Sequence, residues 1–126
     1  MESPGGQLSY KDLIVWKKSM DFANEVISVI EILATRRRHY RLFEQLEAPV
    51  TSISMNIAEG KGRNSKKEFV QYLHFSRGSL YETLTLLEIF HMRGWIESDP
   101  FRELENQGTE IAKMLNGLIN SIGKSM

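Results

Sequence analysis

The chain has 126 residues, 41% of them hydrophobic and 25% charged, with 16 Lys and Arg against 16 Asp and Glu and no cysteine. That length suits one domain, which buries roughly two-thirds of the surface its unfolded chain exposes. Zero net charge argues against a strong polyanion binder, and the missing thiols exclude disulfide frameworks, thiolate metal sites and cysteine nucleophiles.

The first elements are a short Ser-Pro-Gly-Gly lead and a long helix. Residues 1–9 read as a flexible lead and residues 10–126 as a single domain. From Leu13 onward apolar residues fall at Leu13, Trp16, Met20, Ala23, Ile27, Ile30 and Ala34, in steps of three and four, which predicts an amphipathic helix. Asp12, or Ser9 before it, is a candidate cap. A second row, Val15, Phe22, Val26, Val29 and Leu33, lies beside the first. The apolar arc is then roughly 200° wide, more than one core face requires, so this helix is expected to touch more than its own bundle.

A second helix is predicted from Leu42 to Glu59, with Leu42, Leu46, Val50, Ile53 and Ile57 inward and a bend at Pro49. The third opens at Ser65, whose hydroxyl and the Glu68 carboxylate make a capping box. It continues through Phe69, Leu73, Leu80, Leu84 and Leu87, and Gly94 ends it. Asp99 as N-cap and Pro100 in the first turn start a fourth helix carried by Phe101, Leu104, Ile111, Met114, Leu118 and Ile122. Nothing alternates with period two between hairpin turns. The expected fold is all-α, an antiparallel up-down four-helix bundle.

The joint "EGKGRNSKKEF" after the second helix carries glycines and lysines, but the spacing is wrong for a Walker loop and no strand precedes it. The sequence assigns it to punctuation: Gly60 or Gly62 in the left-handed conformation closing one helix, Ser65 capping the next. Gln45, Pro49, Ser52, Asn56 and Glu59, spaced four, three, four, three, form one row on the second helix. Apart from Glu59 the stretch from Ala48 carries no charge, so the row should be covered and need partners. Arg63, Arg77, Ser76 and Ser79 are the candidates. The expectation is a structural polar seam of Gln45, Ser52, Asn56, Glu59, Arg77 and Ser79.

Di-metal bundles repeat Glu-x-x-His, and this chain has one copy, Glu88-Ile-Phe-His91, so no metal or other cofactor is expected. Neither a nucleophile elbow nor a facing carboxylate pair can be assembled, so no catalytic residues are named. The charge is uneven along the chain, however. Between Arg36 and Arg77 nine Lys and Arg stand against four Asp and Glu, leaving seven against twelve elsewhere. Two clusters carry the excess: Arg36, Arg37, Arg38 and Arg41 at the first joint, with Tyr40 for stacking, and Lys61, Arg63, Lys66 and Lys67 at the second. In an up-down bundle these joints lie at opposite ends. Each is a candidate phosphate contact for RNA or DNA, or a surface for a neighbouring acidic subunit. The longest uncharged run, Ala48 to Ala58, is far short of the roughly 20 residues of a bilayer-spanning helix. No signal peptide precedes the first helix, so a cytoplasmic protein without a membrane partner is expected.

The segments "YKDLIVWKKSMDFANEV", "EQLEAPVTSISMNIAEGKGRNSKKEFVQYLHFSRGSLYETLTLLE" and "RGWI" resemble the bacterial four-helix-bundle family encoded in intervening sequences of large-subunit ribosomal RNA genes. The resemblance runs from about Tyr10 to Ile119 and is most specific at Asn56 to Gly60 with Arg63, and at Gly78-Ser79-Leu80 with Glu82. That family is similar to the accessory protein of diversity-generating retroelements, a basic pentameric ring that serves a reverse transcriptase and its RNA. The resemblance implies a homo-oligomer, a pentamer on that model, without catalysis, and RNA and a reverse transcriptase as partners. Two elements depart from the family's pattern. An arginine pair is replaced by Glu47-Ala48-Pro49, and an aromatic-Pro element after the first helix by the arginine run.

Overall fold

Residues 9–34 and 39–126 are described in the computed structural model. A 3-10 turn, Ser9–Asp12, leads into α1, Ile14–Ala34. The short α2 is Tyr40–Glu44, followed by α3, Glu47–Lys61, α4, Lys66–Met92, and α5, Ser98–Lys124. Among the described residues there is no strand, and the chain is all-α, a helical bundle.

In α1 the buried line is Val15, Ser19, Phe22, Val26, Ile30 and Leu33. Of the row that begins at Leu13, Ala23 and Ile30 are buried with that line, Trp16 and Ile27 are half-buried and Met20 is 45% exposed. At about 100° per residue, Met20 and Ile27 stand roughly 100° round from the buried line, so the core takes the middle of the wide arc and leaves one edge open. The helix also starts differently. The Leu13 carbonyl accepts from the amides of Trp16 at 3.1 Å and Lys17 at 3.2 Å. Leu13, rather than Asp12 or Ser9, is the residue before the first turn.

The predicted second helix is broken, not bent. Proline has no N–H, and its ring crowds the carbonyl four residues back; for Pro49 that is Gln45. The chain turns at Gln45 and Leu46 and restarts at Glu47, with Pro49 in the first turn of α3, where its missing donor is harmless. The break shifts the inward row: Phe43 is fully buried while Leu42 is 36% exposed. Leu46, Val50, Ile53 and Ile57 are buried as expected.

Gly60 and Gly62 do not take the left-handed conformation. Gly62 caps α3 with φ −80°, and among the described residues only Gly94 has positive φ, at 76°. Gly60 lies within α3 because α4 passes too close for a side chain. A Cβ there would stand 2.6 Å from the Cβ of Tyr72 and 3.0 Å from Phe69 Cδ1. Gly94 ends the predicted third helix by a Schellman motif: its N–H donates to the His91 carbonyl and that of Trp95 to the Phe90 carbonyl, both at 2.9 Å. The Trp95 and Phe90 rings then pack, with centroids 5.6 Å apart. At the start of α4 the Ser65 hydroxyl accepts from the Glu68 amide at 3.1 Å and donates to its carboxylate at 3.2 Å. The cap of α5 is Glu97, not Asp99, because the Phe101 amide bonds the Glu97 carbonyl at 3.0 Å. Asp99 and Pro100 fall inside the first turn, where backbone N–H groups have no intrahelical acceptor, so the N–H that proline lacks is not missed.

Among the described residues, α3 packs most extensively on α4, α4 also packs on α5, and α1 rests on α3 and α5. The pairings run in opposite senses. Ser52 meets Ser79, Ile53 meets Ser76 and Gly60 meets Tyr72. Lys66 meets Ser125, Arg77 meets Asn116 and Leu84 meets Gly108. Between the helices lies a core of Phe22, Phe43, Ile53, Ile57, Leu73, Leu80, Leu87, Phe90, Ile111 and Leu115. The buried hydroxyls bond carbonyls within it, as Ser76 does to Ile53 at 2.8 Å, so they carry little desolvation cost.

Candidate nucleic-acid interface

The second basic cluster sits where α3 hands over to α4, and its members do unequal work. Arg63 is held in place: its Nη2 donates to Glu59 Oε1 at 2.5 Å and to the Tyr72 hydroxyl at 2.6 Å, and Nη1 lies 3.9 Å from Glu68 Oε2. Two carboxylates and a phenol therefore meet much of its charge. Lys61 lies 5.7 Å from the centroid of the Phe69 ring, which leaves its ammonium free to bind an anion on the other side. Lys66 donates to Ser125 Oγ at 3.1 Å. Lys67 is exposed, and among the described residues none pairs with it.

The fold brings further cations to this end. The 3-10 turn that carries Lys11 packs on α3, and the Lys66 bond to Ser125 sets Lys124 beside the start of α4. Lys11, Lys61, Arg63, Lys66, Lys67 and Lys124 thus outnumber the carboxylates Asp12, Glu59 and Glu68 at one end of the molecule. Exposed lysines on flexible stems, at a surface where salt screens over about 10 Å, suit contacts to phosphate oxygens without base readout. Lys11 and Lys124 belong to this group only through helix packing. No motif in the sequence marks them.

The first cluster cannot be assembled in the same way. Arg36, Arg37 and Arg38 lie outside the described residues. Arg41 is exposed on α2, next to Tyr40, which is 51% exposed. This end is built on aromatic rings. Phe43 packs on Phe90 at 5.2 Å and on Trp95 at 5.3 Å, and His39 stacks on Trp95 at 5.0 Å. The 27 residues of α4 span about 40 Å, which separates Arg41 from the lysines.

Of the polar row, the structure brings together three members. Asn56 Nδ2 donates to the carbonyl and hydroxyl oxygens of Ser52, both at 2.8 Å, and Ser79 Oγ donates to Ser52 Oγ at 3.0 Å across the α3–α4 contact. The other three are elsewhere. Gln45 is exposed in the turn before α3. Glu59 faces out to Arg63. Arg77 points to α5, donating to Asn116 Oδ1 at 2.7 Å, with its other nitrogen 2.9 Å from His74 Nδ1. The seam is shorter because helix turning carries Glu59 past the edge of α4. His91 stacks on Phe101 at 4.3 Å and lies 3.8 Å from Glu88. Among the described residues no group of three or more His, Asp or Glu stands close enough to hold a metal ion, and none of their helices is long and apolar enough to cross a membrane.

Comparisons place this architecture among known proteins. A search of curated proteins finds no match. Among solved structures, a Bacteroides thetaiotaomicron protein of unknown function from the S23 ribosomal protein family superposes with a TM-score of 0.81 at 26% identity, covering 84% of this chain and 98% of its own. The family model of the 23S rRNA-intervening sequence protein matches residues 11–117, a stretch that takes in α1 to α4 whole and most of α5, and the chain belongs to that family.

Proposed function

We propose that the protein is a non-enzymatic, homo-oligomeric accessory factor that holds RNA by its phosphates, built as an antiparallel up-down four-helix bundle. The topology is supported by the contact register, in which residue numbers rise on one helix as they fall on its neighbour. The observation that carries the RNA reading is the gathering of Lys11, Lys61, Lys66, Lys67 and Lys124 at one end of the bundle. Arg36 to Arg38 and Arg41 serve as a second, separate contact. The pentamer implied by the family resemblance has a candidate contact in the open edge of α1, where Met20 and Ile27 line a groove with Thr51 and Met55 of α3.

Binding of a single-stranded RNA oligonucleotide, followed by anisotropy across a salt series, tests this reading. Each phosphate contact contributes a slope of about −0.7 in log K against log salt. Replacing Lys61, Lys66 and Lys67 together by Gln should flatten the slope by about 2, and Arg36/Arg37/Arg38→Ala should flatten it independently. No binding by wild type at low salt overturns the proposal. A second reading, a protein-interaction module whose basic ends meet acidic surface on neighbouring subunits, has its own support. Asp21, Glu25 and Glu110 line a groove between α1 and α5, where Lys18 meets Glu110 at 2.8 Å. An oligomer that dissociates in salt while RNA binding is absent favours that reading.

A further inference from the structure

Arg63 and Arg77 are both held by hydrogen bonds, but only the first is neutralised. Arg63 meets the carboxylates of Glu59 and Glu68. Arg77, half-buried where α4 packs on α5, donates from Nη1 to Asn116 Oδ1 at 2.7 Å and from Nη2 to His74 Nδ1 at 2.9 Å. Among the described residues no carboxylate pairs with it. The surrounding chain is also without acid. α4 carries no Asp or Glu between Glu68 and Glu82, and α5 carries none after Glu110, a stretch that holds Lys113 and Lys124. A guanidinium is always charged, so Arg77 is positioned by its neighbours while its charge is left for an anion from outside the chain.

The two bonds also decide which way those neighbours point. Arginine only donates, so the Asn116 amide oxygen and the His74 Nδ1 lone pair are both turned to it. That leaves the Asn116 Nδ2 hydrogens and the His74 Nε2–H as donors, and among the described residues nothing accepts from them. Lys113, exposed and one turn before Asn116, adds an ammonium that no carboxylate among the described residues pairs with. The acceptors of the cluster are used up on Arg77 and what remains are donors around an uncompensated cation. Such a cluster repels a metal ion and suits an oxyanion, with which its hydrogen bonds are charge-assisted. We propose that Arg77, Asn116, His74 and Lys113 form a phosphate-binding site on the α4–α5 face. Arg77 lies ten residues from Lys67, about 15 Å along α4, so an RNA strand held at the lysine end supplies the phosphate, and to that extent the proposal rests on the RNA reading.

The site is tested by itself with inorganic phosphate at constant ionic strength, followed in nitrogen–proton correlation spectra. The side-chain signals of Asn116 and His74 should shift, while that of Asn24 on α1 stays. Asn116→Asp keeps the bond to Arg77 but supplies the missing counter-ion, so the thermal melt should not fall and the phosphate response of His74 should vanish. In RNA anisotropy the same variant should weaken binding about fivefold and flatten the salt slope by about 0.7, the worth of one phosphate contact. Arg77→Gln should weaken RNA binding similarly. Signals of Asn116 and His74 that move with neither phosphate nor RNA overturn the proposal, as does a phosphate response that Asn116→Asp leaves intact. The source of the phosphate is separated in the same set: a response to inorganic phosphate, with RNA binding untouched by Asn116→Asp, assigns the site to a free phosphate and takes RNA out of it. A wild type that binds no RNA at low salt, yet answers to phosphate at His74 and Asn116, sinks the RNA reading and upholds this site.

Discussion

The joint between α3 and α4 and the joint between α4 and α5 both hold glycine beside basic residues, yet they are built in opposite ways. At the second, Gly94 takes φ 76° and lets Trp95 fold back onto Phe90 and Phe43, so the turn is closed by buried rings. At the first, both glycines stay right-handed or helical. Gly60 serves close packing inside α3, and the turn is closed by Ser65, with Arg63 tied to Glu59. A joint sealed by aromatics has little left to offer a ligand. One sealed by a hydroxyl and an ion pair leaves its lysines outside.

The contrast can be broken by substitution. Trp95→Ala should have the largest effect, about 3 kcal/mol in denaturant unfolding, because it opens the contacts to Phe43, Phe90 and His39 together. Gly60→Ala should cost about 2 kcal/mol through its clash with Tyr72, while Gly62→Ala, at φ −80° with only ordinary contacts, should cost nothing and gain up to about 0.5 kcal/mol from the unfolded chain. Equal losses at both positions would restore the reading of this joint as a left-handed glycine turn. Gly94→Ala should cost about 1 to 2 kcal/mol through its positive φ. Ser65→Ala should cost about 1 kcal/mol, the usual worth of an N-cap, with thermal melts as the check. Lys67→Gln should fall within about 0.5 kcal/mol of wild type. A larger loss of stability there would show that the lysine end is itself structural.

Much of the fold is legible in the sequence where one local rule acts alone. The long helices follow from three-four spacing, the Ser65 cap from its glutamate three residues on, and the stop at Gly94 from glycine before a bulky apolar residue. The errors fall where two rules compete or where a distant helix decides. Pro49 announces a disturbance, but whether the chain bends or restarts depends on where Phe43 must go, and that is set by Phe90 and Trp95. Gly60 looks like any helix-ending glycine until Tyr72 is beside it. The candidate site was legible in part for the same reason. Lys61, Arg63, Lys66 and Lys67 are neighbours in the chain, but holding the Arg63 guanidinium in place also takes the Tyr72 hydroxyl from the facing helix. Lys11 and Lys124 join only when the first and last helices pack.

By itself the sequence determined the helical class, the span of α1, α4 and α5, the basic character of the joints and the family. These depend on periodicity, capping and motif, which are properties of neighbours within about one turn. Only tertiary structure decided which edge of α1 stays open, which polar residues share the Ser52 seam, which cations remain available and why residue 60 is glycine. Those choices rest on what stands within a few ångströms of a side chain from another helix, and a linear pattern does not contain that distance.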